Sequence, residues 1–183
     1  MKTDEFITSD THFGHEAILK LGNRPFQSVD EMDSALIAAW NAKVPPGATV
    51  YHLGDLSFHK PATTLKILAA LNGTIRFVAG NHDKSNINGA VRSRFQWSKT
   101  RHVSKCDDGT RIVMDHFPLY VWEGAHKGWL HAHGHCHNQL DPDNQPRTDV
   151  GIDTTTDFAP LSYTDLMDRF AGTVYTPVDH HRP

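Results

Sequence analysis

The sequence predicts a mixed α/β protein with two packed β-sheets and helices on their outer sides. In its first part, short apolar runs alternate with amphipathic helical patterns, which is typical of parallel strands joined by helices. Further along, two apolar runs at residues 95–106 and 110–115 flank Asp107, Asp108 and Gly109, and this combination predicts a hairpin. Parallel strands followed by a hairpin indicate two sheets rather than one.

Helix boundaries are indicated by capping residues, proline and glycine. Ser28 and Glu31 have the spacing of a capping box, and Ser162 and Asp165 repeat it near the end of the chain. The predicted helices are residues 14–21, Ser28 to Pro45, Pro61 to Gly73, and Ser162 to Phe170. The predicted strands are residues 5–9, 50–53, 74–79, 95–106, 110–115 and 129–130, and a strand at Val150 and Ile152.

Polar residues that suit metal binding follow five of these apolar runs. Ligands of open α/β sheets bind at the carboxyl ends of strands, so we expect the five loops to meet. The clusters are Asp10 with His12, Gly54 with Asp55, Gly80 to Asp83, His116, and Gly134 with His135 and His137.

In this order the clusters resemble the pattern D-x-H, G-D, G-N-H-D/E, H and G-H-x-H of the calcineurin-like metallophosphoesterase superfamily. The resemblance covers residues 6–137 and extends to small bacterial and phage members of the superfamily. It implies a four-layer αββα sandwich, that is, two mixed β-sheets flanked by helices. We expect one domain that spans residues 1–183.

The resemblance also implies a centre of two divalent metal ions. Asp10, His12 and His137 are the implied ligands of one ion, Asn81, His116 and His135 those of the other, and Asp55 bridges the two. Positions 10 and 12, like 135 and 137, are two apart, so on extended strands their side chains share one side. Carboxylate with imidazole favours Mn, Fe, Ni, Co or Zn over Mg or Ca, and we expect Mn.

His82 follows the ligand Asn81 but has no ligand role in the superfamily pattern. The resemblance implies that metal-bound hydroxide attacks phosphorus while His82, as general acid, protonates the leaving group. Asp83 either orients His82 or caps the next helix. Arg24 either binds a substrate phosphate or is a surface arginine beside a turn, and Asn81 is a second expected substrate contact.

The expected activity is therefore hydrolysis of phosphate esters, with nucleotide-type phosphodiesters favoured because few residues remain for a cap over a small monoester. Tyr120, Trp122 and Lys127 either hold a base or sugar or only pack their loop. Ala79 stands where protein phosphatases of the superfamily carry arginine, which argues against a phosphoprotein substrate. A broad phosphomonoesterase and a non-catalytic metal-binding interaction module of the same fold are the alternatives.

The composition of the chain limits the classes of partner that we expect. The 183 residues carry a formal net charge of -3, which argues against a strong basic surface for nucleic acid. No apolar run approaches the roughly 18 residues of a membrane helix, and two cysteines fit a reducing compartment. We expect a cytoplasmic protein that acts on a phosphoester small molecule or nucleotide.

Overall fold

The structure is a computed structural model that describes residues 1–140 and 145–173. Its strands are β1 (Glu5–Thr8), β2 (Thr49–His52), β3 (Thr74–Val78), β4 (Trp97–Lys99), β5 (Arg101–Lys105), β6 (Arg111–Asp115), β7 (Leu130–His133), β8 (Arg147–Asp149) and β9 (Leu161–Ser162). Its α-helices are α1 (Ile18–Leu21), α2 (Val29–Lys43), α3 (Pro61–Ala70), α4 (Asp83–Asn86), α5 (Gly89–Arg92) and α6 (Tyr163–Phe170). Single 3-10 turns lie at Ala125–Lys127 and Ile152–Thr154.

The strands form two mixed sheets. The first has the order β4-β3-β2-β1-β9, in which only β9 is antiparallel to its neighbour. The second has the order β5-β6-β7-β8, in which β5 and β6 form the predicted antiparallel hairpin and the other pairs are parallel. The predicted class, two mixed sheets with helices, is therefore confirmed at this level.

Successive side chains along the central strands point to opposite faces of the sheet, so the buried side chains are divided between two hydrophobic cores. In β2, Val50 packs with the apolar faces of α1, α2 and α3, whereas Tyr51 points the other way, toward the second sheet. Met114 of β6 meets this inner face from the second sheet, and Leu166 of α6 joins the same core. Helices thus cover the first sheet on its outer side, while the two sheets pack against each other.

The outer face of the second sheet is covered differently from the expected helical layer. Here Val113 of β6 packs against Trp122 and Ala125, with Leu119 and Trp129 around them. These residues belong to the segment between β6 and β7, whose only regular element is a 3-10 turn. In the described part of the chain this face therefore carries a loop rather than an α-helix.

Three local predictions differ from the structure. Residues 95–106 form two strands in different sheets, because β4 pairs with β3 and β5 pairs with β6, with Thr100 between them. Helix α1 begins only at Ile18, since Gly14 has a φ of 80°, which a helix excludes. Val150 and Ile152 do not form a strand, because residues 152–154 turn inward as a 3-10 helix.

Other boundaries agree with the prediction. Ser28 caps α2 by accepting from Glu31 N, and Ser162 with Asp165 forms a complete capping box on α6. Among the described residues, no helix is long and apolar enough to cross a membrane. The single domain predicted for residues 1–183 stays a prediction, and its last ten residues, 174–183, lie outside the described chain.

Candidate metal centre

The candidate metal ligands lie in loops at the carboxyl ends of five strands, as predicted. Three of these strands, β1, β2 and β3, are neighbours in the first sheet, and β6 and β7 are neighbours in the second. In chain order the seven side chains are Asp10, His12, Asp55, Asn81, His116, His135 and His137. Because the two sheets are stacked, their strand ends bring residues from opposite ends of the chain to one place.

The backbone at these loops is unusual. Asp10, His12, Asp55, His135 and His137 have φ values of 55°, 51°, 56°, 72° and 47°. Residues with a Cβ seldom adopt this left-handed region, because the Cβ approaches the backbone. Such conformations concentrate at functional sites, where the surrounding structure holds them. These conformations also correct one expectation. Neither Asp10 with His12 nor His135 with His137 lies on an extended strand, since β1 ends at Thr8 and β7 at His133.

Two glycines allow the loops after β2 and β3 to touch. A Cβ on Gly80 would lie 2.7 Å from Asp55 N and 2.9 Å from His116 Cε1. A Cβ on Gly54, whose φ is 99°, would lie 2.9 Å from His116 Nδ1. Any larger residue at either position would push these loops apart, so the glycines are needed for the close approach of the ligands.

Asp10, His12 and His137 form the first group of converging ligand atoms, all within 4.8 Å of one another. Asp10 Oδ1 is 3.7 Å from His12 Nε2 and 3.9 Å from His137 Nε2. Both Asp10 Oδ1 and His12 Nε2 are buried and make no hydrogen bond. Burial of polar atoms without a partner is costly, so a cation that both atoms bind would stabilise this arrangement.

The second group contains Asp55 and His116, whose ligand atoms also converge with those of Asp10, and Asn81 lies beside His116. His116 Nδ1 is 2.8 Å from the carbonyl oxygen of Leu53, which can only accept, so in the neutral ring this nitrogen carries the proton and Nε2 has the lone pair. That Nε2 lies 2.8 Å from Asn81 Oδ1 and 3.5 Å from Asp55 Oδ2. Three atoms with lone pairs thus face one another, an arrangement that fits a bound metal ion.

Asp55 stands between the two groups. The same oxygen, Oδ2, is 3.5 Å from His116 Nε2 and 3.6 Å from His12 Nε2. Its other oxygen accepts from the backbone N–H of His82 at 3.0 Å, which fixes the orientation of the carboxylate. A carboxylate held between two ligand sets is the geometry that a bridging ligand requires.

His135 lies beside these groups but is not a member of either. Its ring centroid is 5.2 Å from that of His116 and 4.7 Å from that of Phe117. The backbone N–H of His135 donates to Asp10 Oδ2 at 2.9 Å, so this residue connects the β7 loop to the first group. Of the seven predicted ligands, only His135 and Asn81 are exposed to solvent.

The rings of the ligand histidines are oriented by partners on their far sides. His137 Nδ1 donates to Asp153 Oδ2 at 2.6 Å, and His12 Nδ1 is 3.0 Å from Nδ1 of His15. With Nδ1 engaged, each ring presents Nε2 to the carboxylates. This pairing of a ligand imidazole with a hydrogen-bond partner is common at metal sites, because it fixes the tautomer.

The electrostatics of Asp10 and His12 agree with the states that a metal ion needs, whereas the pKa shift of His137 favours its protonated form. Burial disfavours the charged form of Asp10, but the nearby His12, His116 and His137 outweigh it and lower the pKa of Asp10 well below its usual range. Burial lowers the pKa of His12. At neutral pH Asp10 is therefore an anion and His12 is neutral, as metal ligation requires. Burial would also lower the pKa of His137, but its hydrogen bond to Asp153 and the charge of Asp10 raise it.

His82, the predicted general acid, lies on the rim of the centre. Its side chain is 47% exposed, and its Nε2 is 4.0 Å from Asp55 Oδ2. The ring packs near Phe58, with centroids 5.0 Å apart. It belongs to neither ligand group, so it faces solvent and the centre at the same time.

Asp83 does not make the contacts expected for either of its predicted roles. Its carboxylate accepts from three backbone N–H groups, those of Gly80, Asp55 and Leu56, at 2.7, 2.8 and 3.1 Å. These bonds involve neither the His82 ring nor the amides of the next helix. Asp83 therefore joins the loop after β2 to the loop after β3, and it positions the predicted ligands in these loops rather than orienting the His82 ring.

The position and contacts of Arg24 contradict both of its predicted roles. The residue is only 4% exposed, so it is not a surface arginine. All five of its N–H donors are engaged: two bond Asp153, and the others bond the carbonyl oxygens of Asp10 and Thr11 and the sulfur of Met32. No donor remains for a substrate phosphate. The guanidinium instead holds the backbone of the β1 loop in place.

Asp153 is a site residue that the sequence pattern did not indicate. It accepts from Arg24 through both oxygens and from His137 Nδ1, and these bonds outweigh its burial and lower its pKa. It lies outside the matched motifs, directly after the strand predicted at Val150 and Ile152. The only signal in the sequence was a carboxylate near a buried turn, which is too common to identify a partner.

Buried histidines outside the ligand set have structural contacts. His52 accepts from Gly54 N and contacts the Thr11 hydroxyl at 3.0 Å, and burial lowers its pKa to about 3. His131 joins β7 to the carbonyl oxygen of Val113 and to the N–H of Leu119. His52 is therefore a core residue whose two ring nitrogens both have partners.

The aromatic loop predicted to bind a base is mostly packing. Trp122 is 3% exposed, packs on the second sheet and donates through Nε1 to the carbonyl oxygen of Trp129. It is therefore not a stacking surface for a substrate. Tyr120 is 65% exposed and Lys127 is exposed, but neither lines the cleft at the centre.

A cleft of about 790 Å³ opens beside Asn81, and the sequence pattern did not indicate it. Gly80 and Asn81 form its border with the candidate metal centre, and Phe117 and Leu119 line its apolar side. Its charged lining residues are Lys84, Arg92, Lys99, Arg101 and Asp115. Positive charge therefore predominates next to the predicted ligands.

Comparison with known proteins identifies relatives whose names state no activity. No family model matches the chain. The uncharacterized protein MJ1445 of Methanocaldococcus jannaschii is 38% identical over 74% of this chain and 71% of that protein. The Gene 66 protein of Mycobacterium phage L5 is 27% identical over 75% of this chain and 79% of its own length. The crystal structure of AQ665, a protein of unknown function from Aquifex aeolicus, has a TM-score of 0.71 and covers 90% of this chain and 98% of its own, at 22% identity. That last likeness concerns the fold alone.

Proposed function

The chain belongs to the same family as the uncharacterized protein MJ1445, and from the chemistry of its site we propose that it is a dinuclear metal-dependent phosphoesterase. We assign it to the calcineurin-like superfamily, with the sandwich of two mixed sheets as its common scaffold. The order of the motifs along the chain supports this assignment, as does their position at the carboxyl ends of parallel strands.

The observation that carries the proposal is the position of Asp55. One of its oxygens lies within 3.6 Å of Nε2 of both His12 and His116, which belong to different ligand groups. A single structural ion would not need a carboxylate shared in this way, since structural zinc sites are usually closed tetrahedra rich in cysteine. Shared carboxylates are typical of paired ions in phosphatases and nucleases.

The residues divide between two ions. Asp10, His12 and His137 would hold one, Asn81, His116 and His135 the other, and Asp55 both. This donor set suits Mn, Fe, Ni, Co or Zn. When bound, such a pair supplies Lewis acidity and an activated water for attack on phosphorus. The protein itself fixes the ligands through Asp153, Leu53 and His15, so that little reorganisation is needed on binding.

His82 is the proposed proton donor to the leaving group. Its half-exposed ring lies next to Asp55 without belonging to a ligand group, so its Nε2 remains accessible to a substrate oxygen. An imidazole suits proton transfer near neutral pH. Asn81 contacts both His116 and the adjoining cleft, and this supports its second expected role as a substrate contact.

We propose phosphodiesters of nucleotide type as the substrates. The centre opens sideways into a cleft lined by basic side chains, which suits a substrate that continues beyond the reacting phosphate. A small monoester would use none of this cleft. The proposed location is the cytoplasm.

The test combines metal analysis with two model substrates. The purified protein should bind close to two transition-metal ions per chain and hydrolyse bis-p-nitrophenyl phosphate with Mn, with a higher kcat/KM than for p-nitrophenyl phosphate. Asp55→Asn should reduce occupancy of both ions and lower turnover roughly 10²-fold or more, because the bridge loses its charge. Asp30→Asn, at an exposed position on α2, is the matched control and should change neither.

Specific results would contradict the proposal. A stoichiometry of one ion that persists in metal excess would exclude the shared site. A higher kcat/KM for the monoester would exclude the diesterase preference and favour the phosphomonoesterase. Two bound ions with no turnover of either ester would favour a non-catalytic metal-binding module.

A further inference from the structure

The basic cleft lies where the chain crosses from one sheet to the other. β4 ends at Lys99 in the first sheet and β5 begins at Arg101 in the second, so Lys99, Thr100 and Arg101 form one wall. Lys84 and Arg92 come from the short helices α4 and α5. The cleft therefore brings together basic residues from separate elements, next to the loop that holds Asn81.

The charge of the cleft contrasts with the net charge of the whole chain. Four basic side chains and one carboxylate line the cleft, whereas the chain has a formal net charge of -3. Arg101 is paired with Asp115, its Nε lying 2.7 Å from Oδ2, and the Lys99 ammonium lies over the Trp97 ring at 4.8 Å. Lys84 and Arg92 have exposed side chains. An excess of one charge in a concave surface attracts ligands of the opposite sign.

An exposed aromatic ring stands between the cleft and the ligand histidines. Phe117 is 43% exposed, lines the cleft, and has its ring centroid 4.7 Å from that of His135 and 5.1 Å from that of His116. A nucleic-acid base can stack on such a ring when the face of the base is free, as it is in a single strand but not inside a duplex. Phe117 thus contacts the predicted ligand histidines and shares the cleft with the cations, just as a nucleoside connects two phosphates along a single strand.

We infer that the cleft binds a second phosphate of the substrate, and that the substrate is a short single-stranded oligonucleotide with its scissile phosphodiester at the candidate metal centre. This inference rests on the proposed phosphodiesterase activity and assigns a new site to it. Arg92 contacts the second phosphate bidentately, and Lys84 contributes a point charge. A nucleoside polyphosphate has no base between its phosphates, so it leaves Phe117 unused.

Matched dinucleotides test the second phosphate. The wild-type protein with Mn is assayed on a thymidine dinucleotide without a terminal phosphate and on the same dinucleotide with a 5′- or a 3′-phosphate. At least one phosphorylated form should have a kcat/KM about 10-fold higher, since it gains a charge-assisted contact. Arg92→Gln should remove most of this preference. Arg94→Gln, an exposed arginine two residues away that does not line the cleft, should keep it.

A binding measurement separates this site from the catalytic proposal. The anisotropy of a dye-labelled thymidine tetranucleotide is titrated in chelator with the wild type, Arg92→Gln, Lys84→Gln and Arg94→Gln. If only Arg92→Gln and Lys84→Gln bind the tetranucleotide more weakly than the wild type, the result supports the cleft as a phosphate-binding site. It does so even if bis-p-nitrophenyl phosphate is not hydrolysed and the proposed phosphodiesterase activity is incorrect. Equal binding by all four proteins, or equal kcat/KM for all three dinucleotides, overturns the inference while hydrolysis of bis-p-nitrophenyl phosphate still stands.

Discussion

Arg24 and Asp153 form an ion pair behind His137, and that pair joins two segments that are 129 residues apart in the chain. The guanidinium also bonds the carbonyl oxygens of Asp10 and Thr11, so one side chain holds the backbone of one ligand loop and the orienting partner of another. Buried charges are tolerated only when all of their hydrogen-bonding groups are used, and here they are. At this scale the candidate centre depends on residues that belong to neither group of converging ligand atoms.

His82 differs from these residues because its ring is half-exposed and lies on the rim of the centre, where it packs near Phe58 and His12. We expect His82→Ala to keep its metal content and stability while turnover falls roughly 10²-fold or more, the usual range for loss of a general acid. The measurement is kcat for diesters whose leaving groups differ in pKa, together with metal analysis. Substrates with very good leaving groups should lose least. Full activity of the variant on an alkyl leaving group would show that His82 is not the acid.

At the scale of elements, the ends of β2 and β3 are fastened to each other by Asp83. Its carboxylate accepts from three buried backbone N–H groups in the two loops, and Gly54 and Gly80 allow those loops to approach. Burial raises the pKa of Asp83, although the three N–H donors oppose this shift. The element that presents Asp55 and Asn81 is thus a joined pair of strand ends rather than two independent loops.

Asp83→Ala should therefore destabilise the protein strongly. Three N–H groups lose their acceptor, and each unsatisfied buried donor costs on the order of 1 kcal/mol or more, so we expect a loss of about 3 kcal/mol. The measurement is the free energy of unfolding in denaturant. Asp168→Ala, at an exposed position on α6, is the control and should change stability by less than about 0.5 kcal/mol. A similarly small loss for Asp83→Ala would mean that solvent replaces the carboxylate and that the loops are not joined as described.

The whole molecule is two mixed sheets that share an inner core, with helices on one outer face and a packed loop on the other. Two buried histidines connect separate elements of the fold. His52 links β2 to the loop after β1, and His131 links β7 to β6 and to the outer loop. Burial lowers the pKa of His52 to about 3 and that of His131 to about 4, so both are neutral in the fold at neutral pH.

These histidines make the fold sensitive to acid. The unfolded chain binds protons below the ordinary pKa of 6.5, whereas folded His131 resists protonation until about 4, so stability is lost as pH falls between these values. In that window each such histidine contributes a slope of roughly 1.4 kcal/mol per pH unit. His131→Gln should reduce the slope of unfolding free energy against pH by this amount, measured in chelator. His126→Gln, at an exposed position, should leave the slope near that of the wild type. Equal slopes for His131→Gln and wild type would contradict the prediction.

Several features of this protein could be predicted from the sequence because they depend on neighbouring residues. The capping box of Ser162 and Asp165, the hairpin turn before Thr110 and the apolar stripe of α2 are local patterns, and the structure has all three. The polar clusters that hold the predicted ligands were recognised in the same way, since each follows an apolar run and the ends of parallel strands meet at one edge, whereas the assignment of the individual ligands came from the resemblance to the calcineurin-like superfamily.

Other features were decided only by the tertiary structure, because they join residues that are distant in the chain. No spacing indicates that Arg24 is buried against Asp153, or that residues 95–106 divide between two sheets. The left-handed backbone at Asp10 and His137 likewise depends on contacts that hold the loops from outside. The basic cleft belongs to this class only in part. Its cations all lie within residues 84–101, a stretch without Asp or Glu, so their positive charge is local in the sequence, whereas the packing of α4, α5 and the crossover between the sheets decides that they line one cleft beside Asn81.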